Sequence, residues 1–589
     1  MQSETKKCQN CKKDFVIESE DFNFYEKIKV PPPTFCPECR KARRMIWRNE
    51  RSLYKRNCDF CKKSIISVYP AKTIFPVYCY ECWWSDKWDP FDYAQSYDFS
   101  KTFFGQLLEL RNKVPHQGLN VVSNFNCPYV NYVWHSKDSY MCFDLGYGEN
   151  VLYSNACHFI KDSQDNSYSK KLDLCYQCVD SQESSTSDNL EKCKNCIDSS
   201  FLFNCNGCSS CILCSNLRNQ KYCILNKKYS KEEYLKIKQD YINGSFLKRE
   251  NVAKLFKQLK LNSIYKENSN IQAKNCTGDN IWNSDNCKES FNIFKSQNCK
   301  FVNDIDSDLI DSMDLSNAAE GELMYEGTSL SGHNLFFSIL VGSSLDISYS
   351  LHCIQNNKNL FGCVGLRNKN YCILNKQYTK EQYEELVPKI VKQMNDVPYV
   401  DSRGKIYKYG EFFPSELSPF GYNEAIVQGH FPLTKEEAEK QGYKWKDVEV
   451  RNYHIDIKIK DIPDNIKDVK EDIISKVIEC EHKGECNEQC TEAFKIISKE
   501  FKFYQRMNLP LPHLCPSCRY YQRMKQRNLL KLWSGKCQCV GANSSNKKYK
   551  NTIEHTHGVE PCPNEFETSY APERPEIIYC EKCYQQEVY

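Results

Sequence analysis

The chain has 589 residues, a formal net charge of +4 and 40% hydrophobic residues, enough for three or four domains with sizeable cores. So small a net charge excludes a polycation that must bind nucleic acid along its whole length. No apolar run approaches the roughly 18 residues of a membrane span, so no membrane segment is predicted. The polar, Lys-rich N-terminus predicts no secretory signal. The 36 cysteines, many in Cys-x2-Cys pairs, therefore fit thiolate–metal sites in a reducing cytoplasm better than disulfides.

Residues 1–99 read as two metal-binding modules. Cys8, Cys11, Cys36 and Cys39 form one set, and Cys58, Cys61, Cys79 and Cys82 the next. Each Cys-x2-Cys pair fits a tight turn that aims two sulfurs at one ion. Two such turns complete a four-sulfur shell, which suits zinc and leaves no open position for catalysis. Residues 1–63 also carry sixteen Lys and Arg against nine Asp and Glu. Arg40, Arg44 and Arg48 recur at four-residue spacing, so a helix would place them on one face. The aromatic run Trp83-Trp84-x3-Trp88 is expected to pack over the second module.

Cys8-x2-Cys11-x3-Phe15, Asp21, Phe24-Tyr25, Pro33 and Cys36-x2-Cys39-Arg40 resemble the probable zinc-ribbon domain family over residues 8–44. The chain as a whole is similar to a group of long, Cys-rich bacterial zinc-ribbon proteins. The resemblance implies zinc and supplies no activity.

Residues 100–117 read as a helical connector, with Phe103, Phe104, Leu107 and Leu108 on an amphipathic helix. Residues 118–228 then form one unit, in which a period of 18 appears from about residue 136. It links Cys157, Cys175, Cys193 and Cys211, then Cys142, Ile160, Cys178, Cys196 and Cys214, and finally Asp144, Asp162, Asp180, Asp198 and Asn216. Asp-Ser punctuation suits turns, and the period predicts a parallel β-solenoid with coils of about 18 residues. Its cysteines are then either a core ladder or, as in Cys193-x2-Cys196-x14-Cys211-x2-Cys214, a further metal site.

The segment Leu217–Tyr229 recurs as Leu366–Tyr378, which makes residues 271–377 a second, less regular solenoid. Helical segments follow each, at 229–270 and 378–396, capped by Ser230 and Thr379. Residues 397–479 read as a mixed α+β connector. It contains a capping box at Thr434 and Glu437, strand-like alternation over 452–460 and a helix over 468–478.

Residues 480–589 repeat the opening modules. Shifted by 479 positions, Cys490, Phe494, Cys515, Cys518, Arg519, Arg523, Arg527 and Cys537 match Cys11, Phe15, Cys36, Cys39, Arg40, Arg44, Arg48 and Cys58. Site three reads as Cys486, Cys490, Cys515 and Cys518, with Cys480 as a substitute. Site four reads as Cys537, Cys539, Cys580 and Cys583, with His555, His557 and Cys562 as alternative ligands.

The fold class expected is thus a mainly β multidomain protein: paired zinc ribbons at both ends flanking a parallel β-solenoid with helical insertions. About four zinc ions are expected. The duplicated arginines Arg40, Arg44, Arg48, Arg519, Arg523 and Arg527 are candidate phosphate contacts, making nucleic acid the first partner considered and a protein the second. A solenoid-based carbohydrate-active enzyme is the third reading, although no P-loop, Gly-x-Ser-x-Gly or His-Glu-x-x-His motif is present.

Overall fold

The computed structural model describes residues 2–447, 453–541 and 549–589. Two compact units emerge, and neither is continuous in sequence. One comprises Met1–Leu119, Asn268–Asp447 and Leu530–Leu532, the other Asn120–Glu267, Val448–Leu529 and Trp533–Tyr589. Each unit is built on one large, mostly parallel β-sheet and one pair of cysteine clusters.

In the unit containing residues 120–267 a ten-stranded sheet runs in strict chain order. Its parallel strands pair at a constant offset of 12, as in Phe143 with Asn155, Leu172 with Ser184, Leu190 with Leu202 and Cys211 with Cys223. This corrects the 18-residue period. The backbone repeats every three residues: His135, Asp138, Met141, Asp144, Tyr147, Asn150 and Tyr153 all have φ near +50°. The buried residues Cys142, Leu145, Val151, Cys157, Ile160, Leu172, Cys175 and Cys178 occupy the following position. Both 18 and 12 are multiples of three, so the cysteine spacing reports the three-residue phase and not the pairing offset.

The Asp-Ser punctuation has a direct physical cause. Asp144, Asp162, Asp180, Asp198 and Asn216 take left-handed backbone conformations, which Asp and Asn tolerate better than most residues. The serines that follow are buried and must satisfy their hydroxyls. Ser163, Ser181 and Ser199 donate to the carbonyl two residues back. They accept the amide N–H twelve residues on, from Cys175, Cys193 and Cys211. The core thiols behave alike, for example Cys142 Sγ to Tyr140 O and Cys157 Sγ to Asn155 O.

The twelve-stranded sheet of the other unit is less regular. Its pairing offset is 12 at Phe291–Asn303, 13 at Ser296–Leu309, 11 at Thr328–Ile339 and 13 at Leu345–Lys358. Each single-residue change resets the three-residue phase, which is why residues 271–377 look weakly periodic. The connector helix Phe103–Lys113, capped by Thr102, lays Phe103 against Tyr349 and Phe361 of this sheet.

The expected caps are present as capping boxes: Ser230 with Glu233, Thr379 with Gln382 and Thr434 with Glu437. Residue 452 lies outside the described residues. Residues 453–460 form no strand beyond a bridge from Ile457 to Ile478. In place of a helix over 468–478 there are short 3-10 turns and the strand Ile478–Glu479.

Candidate metal centres

Four cysteine clusters share one local construction. A two-stranded antiparallel hairpin presents the first pair of sulfurs. Its strands are Glu4–Lys7 with Asp14–Ile17, Tyr54–Asn57 with Ser64–Ser67, Ile478–Glu479 with Ala493–Phe494, and Trp533–Lys536 with Glu565–Thr568. The first cysteine directly follows the outgoing strand: Cys8, Cys58, Cys480 and Cys537. Its amide N–H bonds the carbonyl just before the return strand, on Lys13, Lys63, Glu492 and Asn564. The second cysteine lies three residues before the return strand: Cys11, Cys61, Cys490 and Cys562. The third is a helix N-cap (Cys36, Cys79, Cys515, Cys580), and the fourth sits in the first turn of that helix (Cys39, Cys82, Cys518, Cys583).

This register groups two of the sets differently from the sequence reading. Cys480 takes the first position of the third cluster, because the hairpin turn is enlarged to residues 481–489. Cys486 lies within that enlargement, with its Sγ 3.7 Å from Cys518 Sγ. In the fourth cluster Cys562 takes the second position and replaces Cys539, with a longer stretch of sequence between it and Cys537. The step Cys-x3-Phe, seen at Cys11–Phe15 and Cys490–Phe494, recurs at Cys562–Phe566 and is the signal that identifies it. If the register is right, Cys480→Ser should remove one metal equivalent from the reduced protein, whereas Cys486→Ser should leave the metal content unchanged. The reverse result would restore the shorter spacing.

The donor atoms fit a metal. In each of the sets Cys8/Cys11/Cys36/Cys39, Cys58/Cys61/Cys79/Cys82, Cys480/Cys490/Cys515/Cys518 and Cys537/Cys562/Cys580/Cys583, the sulfurs lie within 4.8 Å of one another. Individual separations are 3.7 Å for Cys11–Cys36, 3.9 Å for Cys61–Cys79, 3.5 Å for Cys515–Cys518 and 3.9 Å for Cys562–Cys580. Four thiolates around a tetrahedral zinc at about 2.3 Å would stand about 3.8 Å apart. None of the 36 cysteines is in a disulfide.

Backbone amides also prepare the clusters for anionic sulfur. In every cluster the N–H of the third cysteine points at the sulfur of the first, at 3.3, 3.2, 3.3 and 3.2 Å in chain order. Such hydrogen bonds favour the thiolate. The Lys63 amide holds the Cys61 thiol down to about 7, and the contact with Cys537 holds Cys580 down to about 4. Burial pushes other thiols of the clusters up, among them Cys79, Cys82 and Cys583, as it pushes the core thiols Cys142 and Cys157 up to about 12. Cys208 departs from the core pattern, held low by hydrogen bonding, first with Cys196.

The six duplicated arginines all make ion pairs with carboxylates of their own unit. Helix Pro37–Met45 carries Arg40 and Arg44, and helix Pro516–Met524 carries Arg519 and Arg523; Arg48 and Arg527 lie beyond the helix ends. Arg40 and Arg44 are 1% and 0% exposed. Arg40 Nε donates to Asp314 Oδ2 at 2.9 Å and Arg44 Nη1 to Asp314 Oδ1 at 3.0 Å. Neighbouring Arg43 joins Glu326 and Glu411. Arg48 pairs with Glu50 and donates to Ser329 Oγ.

In the other unit Arg523 Nη1 donates to Asp165 Oδ1 at 2.8 Å, and Arg519 pairs with Asp165 and Glu500. Arg527 pairs with Asp180 and stacks over Tyr168. Asp314, Glu326, Asp165 and Asp180 all occupy left-handed positions of the parallel sheets. The helices Pro37–Met45 and Pro516–Met524 thus place arginines on the carboxylates of a sheet. The candidate phosphate contacts are internal ion pairs.

No family model and no curated protein sequence matches the chain. The site reading therefore rests on geometry: four-cysteine clusters in the N- and C-terminal regions that fit zinc-ribbon-like sites and can hold metal ions. Trp83, Trp84 and Trp88 are engaged by Arg367, whose guanidinium carbon lies 4.9–5.5 Å from the three ring centres. No helix among the described residues is long and apolar enough to cross a membrane. A cavity of about 480 Å³ in the unit of residues 120–267 is lined by Glu191 and Glu576 among others, but Lys260 and Arg574 pair with these carboxylates.

Proposed function

We propose that the chain is a zinc-binding, non-catalytic scaffold of the cytoplasm, whose ribbon pairs brace two parallel β-solenoids of 12-residue coil for contact with a protein partner. The observation that carries this reading is the burial of the duplicated arginines against sheet carboxylates, which supports a bracing role for them over contact with nucleic acid. An exposed stack on the regular sheet offers a contact surface. His135, Tyr147 and Phe159 follow one another at 12-residue spacing, with ring centres 5.2 and 4.7 Å apart, and Tyr147 and Phe159 are 49% and 56% exposed.

Fluorescence anisotropy with labelled single- and double-stranded oligonucleotides tests the choice of partner. The reduced, zinc-loaded full chain is expected to show no micromolar binding at low salt. Micromolar binding would return the nucleic-acid reading to first place if its log affinity fell by about 0.7–0.9 per phosphate contact for each tenfold rise in salt.

A further inference from the structure

The register of the fourth cluster leaves Cys539, His555 and His557 over, between Cys537 and Cys562 in sequence. They do not disperse to the surface. Cys539 and His555 are buried, and the donor atoms of Cys539, His555, His557 and Cys583 all lie within 4.8 Å of one another. Cys583 also belongs to the four-cysteine set with Cys537, Cys562 and Cys580. We infer that this module holds a second metal ion, bound by Cys539, His555, His557 and Cys583, with the Cys583 thiolate bridging the two ions. The inference rests on the metal reading of the four-cysteine set.

The outer nitrogens of the two imidazoles fix which atoms face inward. His557 Nδ1 lies 2.7 Å from the carbonyl oxygen of Glu560, so it must carry the proton there. Its Nε2 is then a lone pair in the neutral ring, 3.3 Å from both Cys539 Sγ and Cys583 Sγ. His555 Nε2 lies 3.0 Å from Glu587 Oε2, with both side chains fully buried. Its Nδ1 faces Cys539 Sγ at 3.2 Å.

Glu587 is itself held by Tyr549 Oη and by Thr552 N and Oγ1, an outer support typical of metal-bound histidine. If Cys583 is already a thiolate ligand, the single Cys539 thiol proton cannot satisfy two imidazole lone pairs. A cation satisfies them all, and two cysteines with two histidines are a common zinc donor set.

Charge favours sharing as well. One divalent ion with four thiolates leaves two net negative charges in a buried cluster. Two ions with the five thiolates of Cys537, Cys539, Cys562, Cys580 and Cys583 leave one.

Elemental analysis of the reduced full chain tests the inference. The wild type is expected to carry five zinc ions and the His555→Ala/His557→Ala variant four. Equal content in the two would overturn the second ion. Cobalt substitution of the wild type gives a readout that does not depend on the variant folding. Two high-spin cobalt(II) ions sharing a thiolate couple magnetically, so the electron paramagnetic resonance intensity per bound cobalt should fall when both positions fill. Full intensity for every ion bound would overturn the bridge. Unchanged metal content in Cys580→Ser would instead remove the underlying four-cysteine reading.

Discussion

Replacing Asp314 with Ala is expected to destabilise its unit by about 3–5 kcal/mol, the scale for breaking a buried ion pair by removing one partner. Asp314 is fully buried and receives hydrogen bonds from both Arg40 and Arg44. Without it, two guanidinium groups share Glu326 at 3.5 and 3.6 Å, and Arg43 already draws on that carboxylate. Glu326 is a poor substitute, because burial pushes its carboxyl up to about 7 despite those arginines. The loss should appear in hydrogen exchange as faster opening of both Pro37–Met45 and Met313–Ser316, since one carboxylate joins them. The double variant Asp314→Ala/Arg44→Met should recover part of the loss by removing one uncompensated charge. A loss below about 0.5 kcal/mol, the range for surface substitutions, would mean that the arginines are solvated. Asp165→Ala should act in the same way on Arg519 and Arg523.

Metal removal is expected to have the larger effect. The ribbon hairpins have strands of two to four residues, and a two-stranded hairpin is marginal on its own. A structural zinc contributes about 10–16 kcal/mol of apparent binding energy in small zinc-dependent modules at pH 7. Chelation of the reduced protein should therefore open residues 1–99 and 480–589 to proteolysis. The parallel sheets should persist, because each has a buried core of its own. An unchanged cleavage pattern after complete metal removal would show that the ribbons do not depend on metal.

How much of this was legible in the sequence depended on distance along the chain. Cys8-x2-Cys11 and Cys36-x2-Cys39 encode their own geometry within one hairpin and one helix turn, so those ligands read directly. Cys480 and Cys562 were harder, because their partners stand across longer stretches of sequence and nearer cysteines compete for the same role. The arginine repeat was visible, but its meaning depended on Asp314, 270 residues from Arg44, and on Asp165, 358 residues from Arg523. The 18-residue spacing of the central cysteines reflected the three-residue kink of the backbone, while the 12-residue pairing offset is fixed by strand register.

The metal content of the chain, measured by elemental analysis and native mass spectrometry under reducing conditions, tests the central claim most directly. Four independent four-cysteine clusters and one shared site predict five zinc ions per chain. Three or fewer would contradict the claim that every four-cysteine cluster holds an ion.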